Sequence, residues 1–101
     1  MSKPVRVEDG ARDELYAAVA WYEQKRPALG REFFAEIQRT LELIERHPGL
    51  GSPLPRVRAE RGIRRVPLRR FPYMIVYRET NIEIHIVAFA HMRRKPGYWS
   101  E

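Results

Sequence analysis

A histidine, two arginines and a tyrosine in the C-terminal half carry the side chains that metal-independent RNA cleavage requires. That reaction needs a base for the 2′-OH proton, cations for the charged phosphorane and an acid for the leaving oxygen. His91 is the candidate base, and Arg65 and Arg94 are the candidate cations. Tyr98 is a stacking platform or the acid, although a phenol pKa of about 10 suits it poorly unless cations shift it. The structural alternative is that His91 caps the end of a strand while Tyr98 and Trp99 pack the tail against the core.

Positive charge is concentrated in the second half of the chain, which carries +6 in all. Residues 1–50 hold eight Lys/Arg against nine Asp/Glu, a net −1, whereas residues 51–101 hold eleven against four, a net +7. Ten of those eleven cations are arginine, whose planar guanidinium binds phosphate or carboxylate through paired hydrogen bonds. This favours an anionic partner, nucleic acid or an acidic peptide, over a merely solvated basic face. The expected target-binding residues are Arg64, Arg65, Arg69, Arg70, Arg93, Arg94, Lys95 and Trp99.

The sequence lacks the residues that several classes of catalytic site require. There is no cysteine, so a disulfide framework, a zinc-thiolate site and a thiol nucleophile are all excluded. Three scattered histidines argue against a metal site. Neither a glycine-rich phosphate loop followed by GK[ST] nor a GxSxG elbow is present. We therefore expect no metal and no cofactor.

Length and hydropathy predict one cytoplasmic domain covering residues 1–101. A chain of 101 residues can build one compact core. The first residues are charged throughout and contain no signal-peptide apolar stretch. The longest uncharged run in a predicted helix, residues 15–22, is far shorter than the roughly 20 residues needed to cross a bilayer.

Two amphipathic helices are predicted in the first half. Asp9 can cap a helix that runs to about Arg26, with apolar residues at spacings of three and four. A second helix runs from about Ala28 to Arg46. The short link around Pro27 makes the two helices an antiparallel hairpin. The apolar stripe of the second helix is Phe34, Ile37, Leu41 and Ile44, with Phe33 and Leu29 beside it.

A small antiparallel sheet is predicted in the second half. Its strands are residues 63–69, 72–78 and 82–90, with a possible short strand at 4–7 and a loop at 51–61. Pro67 indicates an edge strand or a bulge. In the last strand one face is Ile82, Ile84, Ile86 and Ala88, and the other is Glu83, His85, Val87 and Phe89. The predicted class is α+β, a helical hairpin packed on a three- to four-stranded antiparallel sheet whose opposite face is free for function.

The chain resembles the RelE/ParE superfamily of bacterial toxins in three segments that follow the order of that family. These are PALGREFFAEIQRTLELIERHPGLGSP (residues 27–53), IRRVPLRRFPYMIVY (63–77) and AHMRRKPGYW (90–99). The most characteristic residues are Leu29, Gly30, Phe33, Ile63, Arg64, Arg65, Phe71, Pro72, Tyr73, Tyr77, His91, Arg94, Pro96, Tyr98 and Trp99. The resemblance implies the same hairpin-on-sheet fold.

The resemblance implies one of two targets. RelE-like members cut mRNA in the ribosome with basic residues and a tyrosine, whereas ParE-like members poison DNA gyrase and are not known to be enzymes. This chain is similar to the ParE and plasmid-stabilisation side, since no lysine lies between Gly51 and Arg94. We therefore expect a toxin that arrests growth by poisoning gyrase. The alternative is a ribosome-dependent mRNA endonuclease with His91, Arg94, Tyr98 and Arg65 as its catalytic residues.

The resemblance also implies a neutralising antitoxin, usually encoded beside the toxin, that covers apolar and basic surface. Phe33 and Phe34 are adjacent on a helix and about 100° apart, so we do not expect the two side chains to point into the core together. With Trp21, one of them is expected to line an exposed apolar groove. Trp21, Phe33 and Phe34 are the predicted antitoxin-binding residues.

Overall fold

Two helices and five strands make up the part of the chain that the computed structural model describes, residues 3–54 and 62–93. In chain order they are β1 (Val5–Val7), α1 (Asp9–Lys25), α2 (Leu29–Arg46), β2 (Ser52–Pro53), β3 (Ile63–Pro67), β4 (Tyr73–Glu79) and β5 (Ile84–His91). Both predicted helices and the three longer strands are present, with ends shifted by one or two residues. Within these residues, neither helix has the length and apolarity that crossing a membrane requires.

The five strands form one mixed sheet in the order β1-β5-β4-β3-β2. Strands β2 to β5 pair antiparallel, but β1 runs parallel to β5, with Val5 opposite Ile84. The prediction of three to four antiparallel strands is therefore wrong in strand number and in the orientation of one edge. The possible short strand predicted at 4–7 corresponds to β1, which has three residues. β2 has only two residues and lies in the predicted loop, because it is too short for a period of two to identify it.

The pairing of β4 with β5 contains one β-bulge. Tyr77 pairs with Ile86. Its neighbour Val76 pairs with Ala88, so Val87 is an extra residue on β5. Because side chains alternate between faces with a period of two, one extra residue reverses the alternation for the rest of the strand.

The bulge changes which residues of β5 face the helices. Ile84 and Ile86 pack in the helix-side core, as predicted, but Phe89 joins them there. Ala88 belongs instead to a second apolar cluster on the other side of the sheet. The predicted faces are therefore wrong from Ala88 onward, and His91, two residues beyond Phe89, lies on the helix side.

The core between the helices and the sheet is built around four aromatic rings. Tyr22 comes from α1, Phe33 from α2, Phe71 from the turn after β3, and Tyr73 from β4. The Phe33 ring meets the Phe71 and Tyr73 rings edge to face, with centroids 5.0 and 5.2 Å apart. Tyr22 lies 5.0 Å from Phe33 and 4.9 Å from Phe71. Such pairs contribute about 0.5–1.5 kcal/mol each beyond the burial of their area, so this cluster joins both helices to the sheet.

The opposite sheet face is not free, contrary to prediction. Met74 and Val76 of β4 and Ala88 and Ala90 of β5 are buried there, together with Leu54. The bulge places the two alanines on this face, whereas Met74 and Val76 reach it through the regular alternation of β4. A buried apolar cluster, rather than a polar working surface, therefore occupies the centre of this face.

A buried tyrosine attaches the exit of α2 to the sheet. Tyr77 is fully buried, and its hydroxyl donates to the carbonyl of Pro48 at 2.7 Å. The same hydroxyl oxygen accepts the N–H of Gly51 at 2.9 Å. A Cβ on Gly51 would come within 2.8 Å of that oxygen, so the position requires glycine. Burial raises the pKa of the Tyr77 phenol, which keeps it protonated and able to donate.

The start of α1 differs from the predicted cap. The helix begins at Asp9, but the residue in the cap position is Glu8, whose carboxylate does not bond a helix N–H. Glu8 instead contacts His85 Nε2 and Arg6, and these two partners lower the pKa of its carboxyl. His85 is buried.

The tight link between the helices depends on Glu23 and Gly30. Ala28, just before α2, has a left-handed φ of 73°, which disfavours a side-chain-bearing residue. The Glu23 carboxylate accepts the N–H groups of Ala28 and Gly30, each at 2.9 Å, and so caps the start of α2. A Cβ on Gly30 would lie 2.6 Å from the carbonyl oxygen of Val19. Glycine therefore allows α2 to approach the α1 backbone.

We predict that Gly30→Ala destabilises the fold by about 1–3 kcal/mol, because the added methyl overlaps a backbone atom of α1. Gly10→Ala is the matched control, since nothing lies within 4 Å of a Cβ there. That variant should be neutral or gain up to about 1 kcal/mol from helix propensity. Urea unfolding followed by circular dichroism measures both, and equal midpoints for the two variants would contradict the close approach.

The Glu23 cap predicts a pH-dependent contribution to stability. The N–H of Ala28 and then that of Gly30 lower the pKa of the Glu23 carboxyl in the folded state. A lowered folded pKa means that stabilisation is present above the unfolded pKa, about 4.3, and is lost as the pH falls through the folded value. Glu23→Gln should therefore be less stable than wild type at about pH 7 and should match it at about pH 2. A stability difference that is the same at both pH values would refute the cap.

Candidate functional site

The turn between β3 and β4 is held to α2 by a buried carboxylate. Glu36 is 7% exposed, and its Oε2 accepts the backbone N–H of Arg69 at 2.7 Å and that of Arg70 at 3.3 Å. Leu68 N–H donates to the carbonyl of Tyr73 at 2.9 Å and closes the turn. The backbone is thus fixed where two arginine side chains leave it.

The two arginines of this turn are oriented differently. Arg70 Nη2 donates to Glu32 Oε1 at 2.8 Å, and its guanidinium lies 5.1 Å from the centre of the Phe71 ring. Arg70 and then Arg26 lower the pKa of the Glu32 carboxyl, which stays ionised between them. Among the described residues, the exposed side chain of Arg69 makes no hydrogen bond or ion pair. Arg70 is therefore held in place, and Arg69 is available to a partner.

A groove of about 510 Å³ lies between α2 and β3 beside this turn. Its lining consists of Glu36, Arg39, Thr40, Leu43, Val66, Pro67, Arg69 and Arg70. Arg39 is exposed and, in the described part of the chain, has no ion-pair partner. We call Arg39, Arg69 and Arg70 around this groove the basic corner. Cations over an apolar floor of Leu43 and Val66 suit a partner that carries both carboxylate or phosphate and apolar groups.

The other predicted arginines of the sheet do not join the basic corner. Arg64 Nη1 donates to the carbonyl of Gly51 at 2.7 Å, so this side chain fastens the loop after α2. Arg65 pairs in register with Val76, which belongs to the cluster on the far face. Alternation therefore places Arg65 on the far side of the sheet from the basic corner. The prediction of one arginine site that includes both residues is wrong.

His91 lies at the end of β5, on the helix side of the sheet. Its Nδ1 accepts the N–H of Arg93 at 3.1 Å, and its ring meets the Tyr73 ring edge to face at 5.1 Å. Tyr73 pairs with His91, so the turn that carries Arg69 and the residue Arg93 lie at one end of the sheet. Arg65, in contrast, projects from the other face, and the predicted pairing of His91 with Arg65 around one phosphate is wrong.

An aromatic groove of about 720 Å³ runs between α1 and the ends of β4 and β5. Its lining is Glu14, Ala17, Ala18, Trp21, Tyr22, Pro72, Tyr73, Phe89 and His91. Glu14 Oε1 accepts the N–H of Phe89 at 3.2 Å, which ties α1 to β5 along the groove floor. Trp21 forms its outer wall, 53% exposed, with the Lys25 ammonium 4.6 Å from the ring centre.

The structure changes the predicted antitoxin-binding set. Phe33 is 0% exposed and belongs to the aromatic core, so it is not accessible to a partner. The buried stripe of α2 runs through Phe33, Ile37 and Ile44, and Phe34 flanks it, partly buried. Trp21 is exposed on the aromatic groove, as predicted. The predicted and observed stripes share Ile37 and Ile44, but Phe33 rather than Phe34 continues the observed one, so the adjacent phenylalanines exchange roles.

The remaining predicted site residues, Arg94, Lys95, Tyr98 and Trp99, lie outside the described residues. Sequence patterns also missed Glu36 and Glu23, because acidic residues on amphipathic helices are usually solvated. The available signal was their position: Glu36 lies on the buried side of α2, three residues after Phe33. Within residues 3–54 and 62–93 no group of three or more His, Asp or Glu side chains could hold a metal ion.

The fold is a hairpin of two helices on a five-stranded sheet, with an arginine-bearing turn and an aromatic groove. Residues 5–96 match the family model of the ParE toxin of the type II toxin-antitoxin system parDE, so the chain belongs to this family. The resemblance to the ParE side of the superfamily is thereby confirmed.

Individual relatives agree with this assignment. The chain is 28% identical over 98 residues to Toxin ParE2 of Mycobacterium tuberculosis strain CDC 1551 / Oshkosh, covering 96% of this chain and 89% of the relative. The ParE2 toxin of strain ATCC 25618 / H37Rv gives the same figures. A solved chain of the chromosomal ParDE system from P. aeruginosa superposes with a TM-score of 0.74, covering 91% of this chain and 98% of that one. At 18% identity, that likeness concerns the fold.

We predict that Glu36→Gln loosens the β3–β4 turn and costs about 1–3 kcal/mol, since a buried charged acceptor of two N–H groups is lost. Amide exchange of Arg69 and Arg70 should accelerate more than that of β5. Glu42→Gln is the matched control, because Glu42 is exposed and only faces Arg46 at 3.8 Å. Its effect should stay below about 0.5 kcal/mol. Uniform acceleration across the sheet would show that Glu36 has no specific role in the turn.

Proposed function

We propose that this chain arrests growth by binding and poisoning DNA gyrase, and that a cognate antitoxin encoded by an adjacent gene neutralises it. The observation that carries the proposal is the match to the ParE toxin family over residues 5–96. The ParE2 relatives, which align along nearly the whole chain, support it. The finer steps, gyrase as target and growth arrest as outcome, are expectations that the family resemblance supplies.

The basic corner supports action by binding. Glu36 fixes the backbone of Arg69 and Arg70, and Glu32 holds the Arg70 side chain, so the Arg70 guanidinium is arranged before any partner arrives. Preorganised cations lose little conformational entropy on binding a carboxylate or phosphate. Arginine holds charge at all relevant pH values and does not exchange protons. The chemistry of this corner therefore suits recognition of an anionic surface on gyrase or its DNA.

The antitoxin is proposed to cover the aromatic groove and the basic corner. The Trp21 side chain of α1 is large, aromatic and exposed, and Phe34 of α2 is partly buried at the edge of the core. Tryptophan and arginine are enriched among residues that dominate protein interfaces. A partner segment with apolar residues for the groove and acidic residues for the corner would match both surfaces.

A second candidate, mRNA cleavage in the ribosome, has one observation in its favour. His91 is half-buried and lines the aromatic groove beside Tyr73, where a histidine could accept a proton. The separation of Arg65 from His91 removes one of its proposed cations. This candidate is therefore the alternative outcome of the experiment below.

We predict that the purified chain increases gyrase-cleaved DNA, and that the double variant Arg39→Ala/Arg69→Ala does so roughly tenfold less well. The reason is the loss of two exposed cations worth about 0.5–1 kcal/mol each at an anionic surface. Arg12→Ala/Arg46→Ala is the matched control, since it removes two exposed helical arginines away from the corner. Trp21→Arg should still poison gyrase but should no longer be neutralised by the product of the adjacent reading frame.

Unchanged supercoiling and cleaved-complex levels at stoichiometric excess of toxin would refute gyrase as the target. Primer extension on translated mRNA from cells that express the toxin tests the second candidate. New 5′ ends that disappear in His91→Ala and persist in His47→Ala, an exposed histidine at the end of α2, would establish cleavage instead. No growth arrest in the absence of antitoxin would refute the toxin function as a whole.

A further inference from the structure

The aromatic groove is lined by rings from both the helix and the sheet. These rings belong to Trp21 and Tyr22 of α1 and to Tyr73, Phe89 and His91 of the strands. The groove volume of about 720 Å³ lies within the roughly 300–1,000 Å³ of typical ligand pockets. Ala17 is also part of the lining, and its single methyl group leaves the groove open. The groove therefore has room for the rings of an occupant.

We infer that the tail segment, residues 94–101, docks in the aromatic groove of its own chain, with Tyr98 and Trp99 as the rings that enter it. The inference concerns the free chain and rests neither on gyrase nor on the antitoxin. Of the two roles that the sequence leaves open for Tyr98, it selects packing against the core.

Three segments of the chain lie outside the described residues, and only one of them begins beside the groove. Residues 1–2 carry no ring. Residues 55–61 join β2 to β3 at the sheet edge remote from β5, and they contain no aromatic residue. The tail segment begins three positions after His91, which lines the groove, and it contains both Tyr98 and Trp99.

Two hydrogen bonds fix the point at which the tail segment leaves the sheet. The N–H of Met92 donates to the carbonyl of Pro72 at 2.8 Å, and Pro72 is part of the groove lining. The N–H of Arg93 donates to His91 Nδ1 at 3.1 Å. The tail segment is thus tethered at the groove. A short tether gives an effective concentration of about 1 mM or more, so contacts that are weak between separate molecules suffice here.

The sequence of the tail segment predicts that its rings return to the groove. Pro96-Gly97 is a typical centre of a type II turn, because proline sets the φ of the second position and glycine adopts the positive φ of the third. Such a turn brings the Cα atoms of Lys95 and Tyr98 within about 7 Å of each other. Lys95 follows Arg93 by two residues, which is at most about 7 Å of chain. Tyr98 and the adjacent tryptophan are therefore within reach of the groove.

Charge and hydrogen bonding favour the same occupant. The Glu14 carboxylate lies on the groove lining, and Arg94 and Lys95 are the first two residues of the tail segment. Opposite charges attract more strongly at a partly shielded contact than in bulk water. Because His91 Nδ1 accepts the N–H of Arg93, the neutral imidazole carries its proton on Nε2 and can donate it to a phenol oxygen. Two cations followed by two rings therefore match this groove.

Docking makes the tail segment a competitor of any other occupant. If it fills the groove about nine-tenths of the time, a partner binds there about tenfold more weakly than to an empty groove. An antitoxin that enters the groove, as proposed above, then displaces Tyr98 and Trp99.

NMR spectroscopy of the full, isotope-labelled chain without antitoxin tests the inference directly. The indole protons of Trp99 should show nuclear Overhauser contacts to the methyl group of Ala17 and to the ring of Phe89, because such contacts arise only between protons a few ångströms apart. The contacts should have the same intensity per molecule in dilute and concentrated samples, since the occupant belongs to the same chain.

Quenching of Trp99 fluorescence by acrylamide measures how much of the tail segment is docked. In the variant Trp21→Phe, Trp99 is the single tryptophan. Its quenching constant should be at least about threefold lower than in the same variant with Ala17→Arg added. The arginine fills the groove and repels the cations of the tail segment. Ala20→Arg is the matched control, because Ala20 is exposed on α1 but does not line the groove.

The inference is overturned if the Trp99 indole shows no contact to protons of the groove, or if its quenching constant is the same with and without Ala17→Arg. Contacts that appear only in concentrated samples would assign the groove to the tail segment of a second copy, which also overturns docking within one chain. Both measurements use the chain alone. A negative result here therefore leaves the gyrase proposal unaffected, and a negative gyrase assay leaves tail docking unaffected.

Discussion

The extra residue at Val87 is the constraint on which the arrangement of the site depends. With a strict period of two, Phe89 would point away from the helices and two alanines would face them. The bulge instead sends Phe89 into the helix-side core, where it is 1% exposed, and leaves Ala88 and Ala90 to pack under Leu54. It also turns His91 toward α1. One inserted residue thus adds an aromatic ring to the main core, places two alanines on the far face and orients His91 toward the aromatic groove.

Local patterns predicted the elements that are long enough to repeat. Both helices, the hairpin and the three longer strands follow from periodicity and from helix-ending residues. The parallel pairing of β1, the two-residue strand β2 and the bulge in β5 were missed, since each is defined by pairing between residues far apart in the chain. Val5 meets Ile84, and Ser52 meets Arg65. Such short elements are stable only because a neighbouring strand already exists, so their own residues carry little signal.

The types of residue at the candidate site could be predicted from the sequence, but the positions of their side chains could not. Arginine enrichment indicated the β3–β4 turn as a candidate, yet it could not reveal that adjacent arginines on a strand leave by opposite faces. Arg64 fastens a loop, whereas Arg65 lies across the sheet. The deciding residue at the basic corner is an acid, Glu36, because a carboxylate buried beneath the turn fixes where its cations stand. A count of charges along the sequence does not identify acidic residues that orient basic ones.

The aromatic core makes the two candidate surfaces parts of one rigid body. Tyr22 forms the floor of the aromatic groove and also packs on Phe71, the residue next to Arg70. Phe33 contacts both rings of the turn region and comes from the helix that carries Glu36. A close-packed cluster of this kind has low compressibility and resists distortion. If an antitoxin neutralises the chain, covering the basic corner therefore requires less free energy than distorting it. Neutralisation should then depend on which part of the surface the antitoxin covers, rather than on a change in the shape of the toxin.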